Sequence, residues 1–424
     1  MKQRLKKKVQ KQPEVVQKKE NMRYLMLASF LIVGLYIFLS VMLKTPLFST
    51  NSWDSYTMQA QRWLSGHIAL DKDYPYLELA QYMGRFYTSF PVTPTIPVFL
   101  LLPFANGFVP SNLVVKVYVV ASFFVTYFLC RKRFALTDMQ SVFWAAFTVF
   151  GSNLVFMSMN GGVWFQSQTL NFLCTIVGVY YILGKRARDI HIGLIAFALA
   201  IGCRTTQILF APFFAYFLIM FIINDKDKGK KTWQDSILRN AYLVVIPVLI
   251  MMGYALYNYV RFDSFSEIGY HYRPEFMRVN GIMFSAEYFA KNLGNILRLP
   301  SIDFTTMRVD IPVSEGFAFY LANPLIVVYL WRLAVTFLKK QKLEIGDMVG
   351  FACVLIYVFT ILIFKGLGGW QFGQRYFVDF LPFALVFILK KPKIHVADVV
   401  LATFAISFNI YGTLYMFLEW NKPI

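Results

Sequence analysis

Apolar stretches of a length that crosses a bilayer, roughly 17–25 residues, recur along this chain at about 24–43, 112–130, 139–158, 163–184, 206–223, 240–258, 317–338, 346–364 and 395–416. Two shorter stretches, 189–203 and 376–390, bring the expected number of spans to about eleven. Closed helices satisfy their own backbone hydrogen bonds in lipid, so this pattern predicts an all-α polytopic membrane protein. With 57% hydrophobic and 18% aromatic residues, the composition agrees.

The formal charge of +19, from 42 basic and 23 acidic residues, raises the question of nucleic acid. Its distribution answers it. Basic clusters before Tyr24, at Arg131-Lys132-Arg133, at Lys185 to Arg188, from Lys226 to Arg239, at Lys339 to Lys342 and at Lys390 to Lys393 alternate with the spans. Placing all of them in the cytoplasm gives a topology without conflict, so no nucleic-acid partner is implied. The expected organisation is a basic cytoplasmic tail over 1–23, a plasma-membrane domain over 24–418 and a short outer tail over 419–424. The first stretch has the basic leader of a signal peptide, but no small-residue cleavage site follows, so it is expected to stay as an anchor. Residues 92–108 carry Pro94, Pro97 and Pro103, and counting them as a span would invert the Arg131 cluster. A re-entrant helix is expected there. Cys130, Cys174, Cys203 and Cys353 lie in or at the ends of spans and imply neither disulfides nor a metal cluster.

This topology exposes three outer loops, at 44–93, 259–316 and 365–375, long or glycine-rich and aromatic where the inner loops are short and basic. Function is expected on that face. A phosphate loop of the Walker type and an HExxH motif are both missing, which argues against ATP-driven transport and zinc chemistry. In the first loop Trp53, Tyr56, Ala60, Trp63 and Leu64 recur at helical spacing, predicting an amphipathic surface helix opened by Asp54. Two readings fit Asp54: a helix cap, or a general base facing a cavity above the membrane. Asp71 and Asp73 are the fallback ligands for a divalent cation, and a solvated turn explains them equally well.

The second loop packs six aromatic rings, Arg261, Arg273 and His271 into Tyr257 to Arg273. Such a set either pins a phosphosugar or forms an interfacial belt. In the third loop, glycines precede Arg375 at the start of a span, and Arg204 falls at the same outer boundary. An arginine at that depth needs a partner, either an acid such as Asp379 or a bound phosphate.

Taken in order, the WDSY of Trp53 to Tyr56, GRFYTSFP of Gly84 to Pro91, YNYVRF of Tyr257 to Phe262, GYHY of Gly269 to Tyr272 and FGQRYF of Phe372 to Phe377 resemble bacterial GT-C glycosyltransferases. That superfamily includes protein mannosyltransferases and the aminoarabinose transferases of lipid A. The resemblance covers about 24–390 and implies a GT-C-like bundle whose donor is a polyprenyl-phosphate-linked sugar drawn from the membrane. It makes Asp54 the general base for an acceptor hydroxyl of a glycan, lipid or protein, with inversion at the sugar. It gives the donor phosphate to Arg375, then Arg204, Arg85 and Tyr87, with Arg261, His271 and Arg273 at the outer entrance. It implies no cofactor and no required metal. One departure is that only six residues follow the last span, which argues against a domain for large folded acceptors. The competing classes are a transporter or flippase of lipid-linked sugar and a non-catalytic envelope partner. The first would need paired repeats or ionisable residues inside spans, and the reading finds no clear repeat and no acid within them.

Overall fold

A computed structural model describes residues 22–229, 232–277, 282–305 and 308–418. The basic tail, apart from Met22 and Arg23, and the tail 419–424 lie outside the described residues. In chain order the first part contains α1 (Arg23–Met42), α2 (Ser55–Leu64), a hairpin of β1 (Leu79–Tyr82) and β2 (Arg85–Thr88), α3 (Thr95–Leu101), α4 (Ser111–Phe128), α5 (Asp138–Val149), α6 (Leu154–Met157), α7 (Val163–Ile182) and α8 (Ala187–Ile201). The rest contains α9 (Ala211–Gly229), α10 (Trp233–Asn240), α11 (Tyr242–Phe262), α12 (Pro274–Met277), α13 (Tyr288–Leu297), a hairpin of β3 (Ser301–Asp303) and β4 (Arg308–Asp310), α14 (Phe319–Ala322), α15 (Leu325–Leu338), α16 (Ile345–Leu362), α17 (Leu381–Leu389) and α18 (Val396–Leu418).

Among the described residues, six helical segments are long and apolar enough to cross a membrane: Arg23–Met42, Ser111–Arg133, Thr205–Asp225, Tyr242–Phe262, Ile345–Leu362 and Val396–Leu418. The polytopic helical fold expected from the sequence is therefore present. It is not purely helical, because each long outer loop adds a two-stranded antiparallel hairpin. The first turns at Met83 and Gly84, both at positive φ, which matches the twist of the paired strands.

Several expected spans are realised differently. The stretch 139–158 stops at Val149 and resumes as the single turn of α6. Gly151 in that break sits so close to the preceding turn that a Cβ would lie 2.4 Å from the Phe147 carbonyl oxygen. The stretch 317–338 is likewise split, at Asn323 and Pro324, into α14 and α15. The stretch 376–390 enters as a 3₁₀ turn, Arg375–Phe380, before α17. Residues 92–108, where the sequence predicts a re-entrant helix and not a span, form α3 and one further 3₁₀ turn. Instead of facing only lipid, α2 buries Tyr56 and Ala60 among Val98, Leu102, Val114 and Tyr118 of α3, its 3₁₀ extension and α4.

The two helix breaks hold the third outer loop. Asn153, in the first, donates to the Phe372 carbonyl, and its own N–H donates to Asn323 Oδ1 at 3.2 Å. Asn323, in the second, donates to Asn153 Oδ1 and lies 3.5 Å from the carbonyls of Phe319 and Gln374. These bonds replace the ones that continuous helices would have made. At the opposite end of the bundle the basic clusters meet acids and carbonyls. Arg332 donates to Lys391 O at 2.6 Å and Asp398 Oδ2 at 2.8 Å, Lys390 pairs with Glu344 and Asp347, and Arg133 approaches Asp189 at 3.5 Å.

Gly373 is where the loop is tightest: its φ is +63°, and a Cβ there would fall 2.2 Å from Ala322 Cβ. Gly373→Ala is expected to destabilise the folded chain by about 1–3 kcal/mol through overpacking, read as a lower unfolding midpoint in detergent. A midpoint equal to the parent's would show that the loop is not clamped at this point.

Candidate active site

One helix organises the site. The head of α7 breaks the apolar rule of a span with Gln166, Ser167, Gln168, Thr169 and Asn171, all buried. Each polar side chain must find a partner there, and the partners come from several elements. Gln166 donates to Asp54 Oδ1 at 2.7 Å, Ser167 to Cys203 O at 2.6 Å, Gln168 to Arg375 O at 2.8 Å and to Asp379 Oδ1 at 3.1 Å, and Asn171 to Asp379 Oδ1 at 3.2 Å. Asp379 is fully buried at the start of the 376–390 stretch, which corrects the expectation of spans free of acids.

Asp379 decides between the two candidate partners of the boundary arginines. Its Oδ2 lies 2.6 Å from Arg204 Nε and accepts from the Tyr357 hydroxyl at 2.7 Å. Arg204 also stacks over Tyr376 at 4.5 Å. Its charge is thereby answered within the protein. Arg375, more deeply buried than Arg204, is not provided for in this way: its Nε and Nη1 have no hydrogen-bond partner among the described residues. Its guanidinium lies over the aromatic faces of Phe165 and Tyr376, each at 5.2 Å. Its backbone is fixed from both sides, accepting from Gln168 and donating to Gln371 Oε1 at 3.1 Å. Gly368, at φ +98°, passes so close that a Cβ would stand 3.2 Å from Arg375 Nη2.

These groups border a cavity of about 1100 Å³. Arg204, Arg273, Arg375 and Tyr376 contribute to its wall, with Glu78, Trp53 and Trp164 also lining it and Met283, Ile361 and Phe364 supplying apolar surface. Arg273 pairs with Glu78 and, at 2.6 Å, with Glu275. Asp54 caps α2, accepting from the Thr57 N–H at 3.1 Å and the Thr57 hydroxyl at 2.6 Å as well as from Gln166. It is 4% exposed, and its chain neighbours Ser52 and Trp53 line the cavity. Burial pushes its carboxyl above the ordinary carboxylate range, while the bonds from Thr57 and Gln166 pull the other way.

Of the residues singled out from the sequence, Arg204, Arg273 and Arg375 converge on this cavity, with Asp54 beside it. Others lie elsewhere. Arg85 and Tyr87 border a separate cleft with Arg62 and His67, and Tyr87 packs on Phe262 at 5.3 Å. Arg261 is buried and already used, donating to Thr88 O at 3.0 Å and Asn258 Oδ1 at 2.8 Å. His271 is exposed and bonded to Glu267. Asp71 is exposed and accepts from Tyr74, and no group of three metal-type side chains occurs among the described residues.

Sequence reasoning overlooked Glu78 and the polar head of α7. The run from Gln166 to Asn171 inside an apolar stretch was a usable signal. Glu78, between Leu77 and Leu79, sits in no motif.

The two arginines should differ in how far their charge is tied into the stability of the fold. Asp379→Asn strands a buried guanidinium and is expected to cost about 3–5 kcal/mol, whereas Arg375→Leu breaks no ion pair and should stay within about 1 kcal/mol of the parent. Unfolding in detergent measures both. Equal losses would mean that Arg375 is as structural as Arg204.

No known protein family and no curated protein matches the chain. Among solved structures, ArnT from Cupriavidus metallidurans is similar in its crystal structure bound to undecaprenyl phosphate: 13% identity over 89% of this chain and 61% of that one, with a TM-score of 0.47. Its apo state gives 13% identity over 87% and 59%, with a TM-score of 0.43. This chain thus spans about 61% of the ArnT chain, and likeness at that level assigns no activity.

Proposed function

We propose that the chain is a glycosyltransferase that moves a sugar from a polyprenyl-phosphate carrier to an acceptor hydroxyl on the outer face of the membrane. The observation that carries this reading is Arg375, a buried cation whose Nε and Nη1 have no hydrogen-bond partner among the described residues, in the wall of a large cavity that is part charged and part apolar. A lipid phosphate suits that combination, because its oxygens take the free guanidinium N–H groups and its chain takes the apolar wall.

In the reaction, the acceptor oxygen bonds to the anomeric carbon as the bond from that carbon to the phosphate oxygen breaks, with inversion. Negative charge grows on the leaving phosphate, and Arg375, backed by Arg204, is already in position to stabilise it. Asp54 is the proposed base. Its raised proton affinity favours taking the hydroxyl proton, and motion about its own side chain would bring it from the α2 cap toward the adjoining cavity. The donor phosphate is met by protein cations, so no metal is assigned a step. In this reading the site faces outward and the N-terminus lies in the cytoplasm, the orientation that the positive-inside rule expects from the basic clusters.

Transfer of labelled sugar from undecaprenyl-phosphate-linked donor, measured with the full chain in proteoliposomes, tests the assignment. Arg375→Ala should lower turnover by about 10²–10³-fold and Asp54→Asn by at least about 10²-fold. Undiminished transfer by folded Asp54→Asn would remove Asp54 from the chemistry and pass the role to Glu78, the carboxylate that lines the cavity itself.

The pH profile provides a separate check. A base must be ionised, so activity should fall as pH drops through the raised pKa of Asp54, with an acid limb above the ordinary carboxylate range. Gln166→Ala removes a bond that favours the charged form, so the limb should move to higher pH. A limb that stays in place would separate Asp54 from the titration.

The interrupted helices favour one second reading, a carrier of lipid-linked sugar, because broken helices also line transport sites. Translocation of labelled lipid-linked sugar in the same proteoliposomes, without transfer, would select it.

A further inference from the structure

Beside Arg375, the cavity has a second and chemically different wall. Trp53 and Trp164 meet at 5.4 Å between ring centroids with planes inclined at 41°, and Tyr76 stands edge-on to Trp53 at 5.8 Å. Trp53 and Tyr76 remain 38% and 48% exposed. A carboxylate is built into this shelf: the Trp164 indole N–H donates to Glu78 Oε2 at 3.0 Å, and Arg273 binds the same oxygen. Both bonds go to Oε2, so Oε1 is available to a ligand.

The shelf is also held rigidly. The Trp53 N–H donates to Asn51 Oδ1 at 2.9 Å, its carbonyl accepts from the Val163 N–H at 3.0 Å, and Asn51 donates to Asn160 Oδ1 at 3.0 Å. Little order remains to be imposed when a ligand arrives. Interfacial tryptophans normally turn their indole N–H toward headgroups and water. Here Trp164 directs it to a carboxylate inside a cavity.

We infer that Trp53, Trp164 and Glu78, with Tyr76 buttressing Trp53, form a saccharide subsite, so that the acceptor is a glycan. A pyranose ring has one face of C–H groups that suits the negative π-face of an indole, and its edge carries hydroxyls that donate to a charged carboxylate. An acyl chain would fill the aromatic part and leave Glu78 Oε1 desolvated with no hydrogen bond to replace its water. Because Trp53 directly precedes Asp54 in the chain, a sugar on the shelf presents its hydroxyls next to the proposed base. The inference rests on the transferase reading for the word acceptor, while the saccharide site itself stands on the shelf alone.

The test uses the purified full chain in nanodiscs, applied to an array of bacterial envelope oligosaccharides with peptides and saccharide-free phospholipids as other features. Binding of undecaprenyl phosphate is measured separately. The expected result is retention on saccharides, weakened at least tenfold by Trp53→Ala and by Glu78→Gln, and changed less than threefold by Trp53→Phe, which keeps an aromatic face and controls for folding. Undecaprenyl phosphate binding should be unaltered in all three variants. Retention of no saccharide, retention confined to peptides or phospholipids, or saccharide binding indifferent to Trp53→Ala and Glu78→Gln would overturn the inference. Saccharide binding without any undecaprenyl phosphate binding would instead defeat the donor reading and leave the subsite standing.

Discussion

Within an apolar bundle, a helix can be interrupted only where other groups take over the hydrogen bonds it gives up. Asn153 and Asn323 do this for each other and for the loop before Arg375. The rest of the outer end depends on that exchange. It fixes Phe372 and Gln374 in the bundle, which in turn sets the start of the 3₁₀ turn carrying Arg375 and Asp379. It also lets the carbonyl of Arg375 reach Gln168 of α7. A continuous helix in either place would have satisfied its own backbone and removed the two asparagine anchors of the loop.

From that frame, two arginines of the same depth acquire different electrostatic lives. Arg204 falls against Asp379, itself held by Tyr357, Gln168 and Asn171, and forms an ion pair with it. Arg375 receives aromatic faces but no acceptor among the described residues. Desolvating a guanidinium without a counter-charge opposes folding, and the backbone bonds on either side of Arg375 are what hold it in place.

The membrane architecture was legible because span length and the placement of Lys and Arg are one-dimensional signals. Asp54 at the head of α2, and Arg204, Arg273 and Arg375 around one cavity, were legible because motif and depth coincide. Arg85, Tyr87, Arg261 and His271 looked equivalent in composition but are drawn off by local partners: a hairpin, the Thr88 carbonyl, Phe262 and Glu267. Such competition is three-dimensional and leaves no trace in spacing. The helix breaks at Gly151 and Pro324 were hidden for the opposite reason, since the apolar pattern runs on through them. Glu78 depends entirely on where the first loop folds back, so nothing near it in the chain announced it.

The split between the two arginines also bears on how a reaction cycle would end. If a lipid phosphate is the leaving group, donor and spent carrier present the same headgroup to Arg375, and the contact that recruits one delays departure of the other. Asp379 neutralises Arg204 and so leaves that wall with one uncompensated guanidinium instead of two. On that reading the pairing would limit retention of the spent carrier, and the dwell time of that lipid would be a place for the cycle to be throttled.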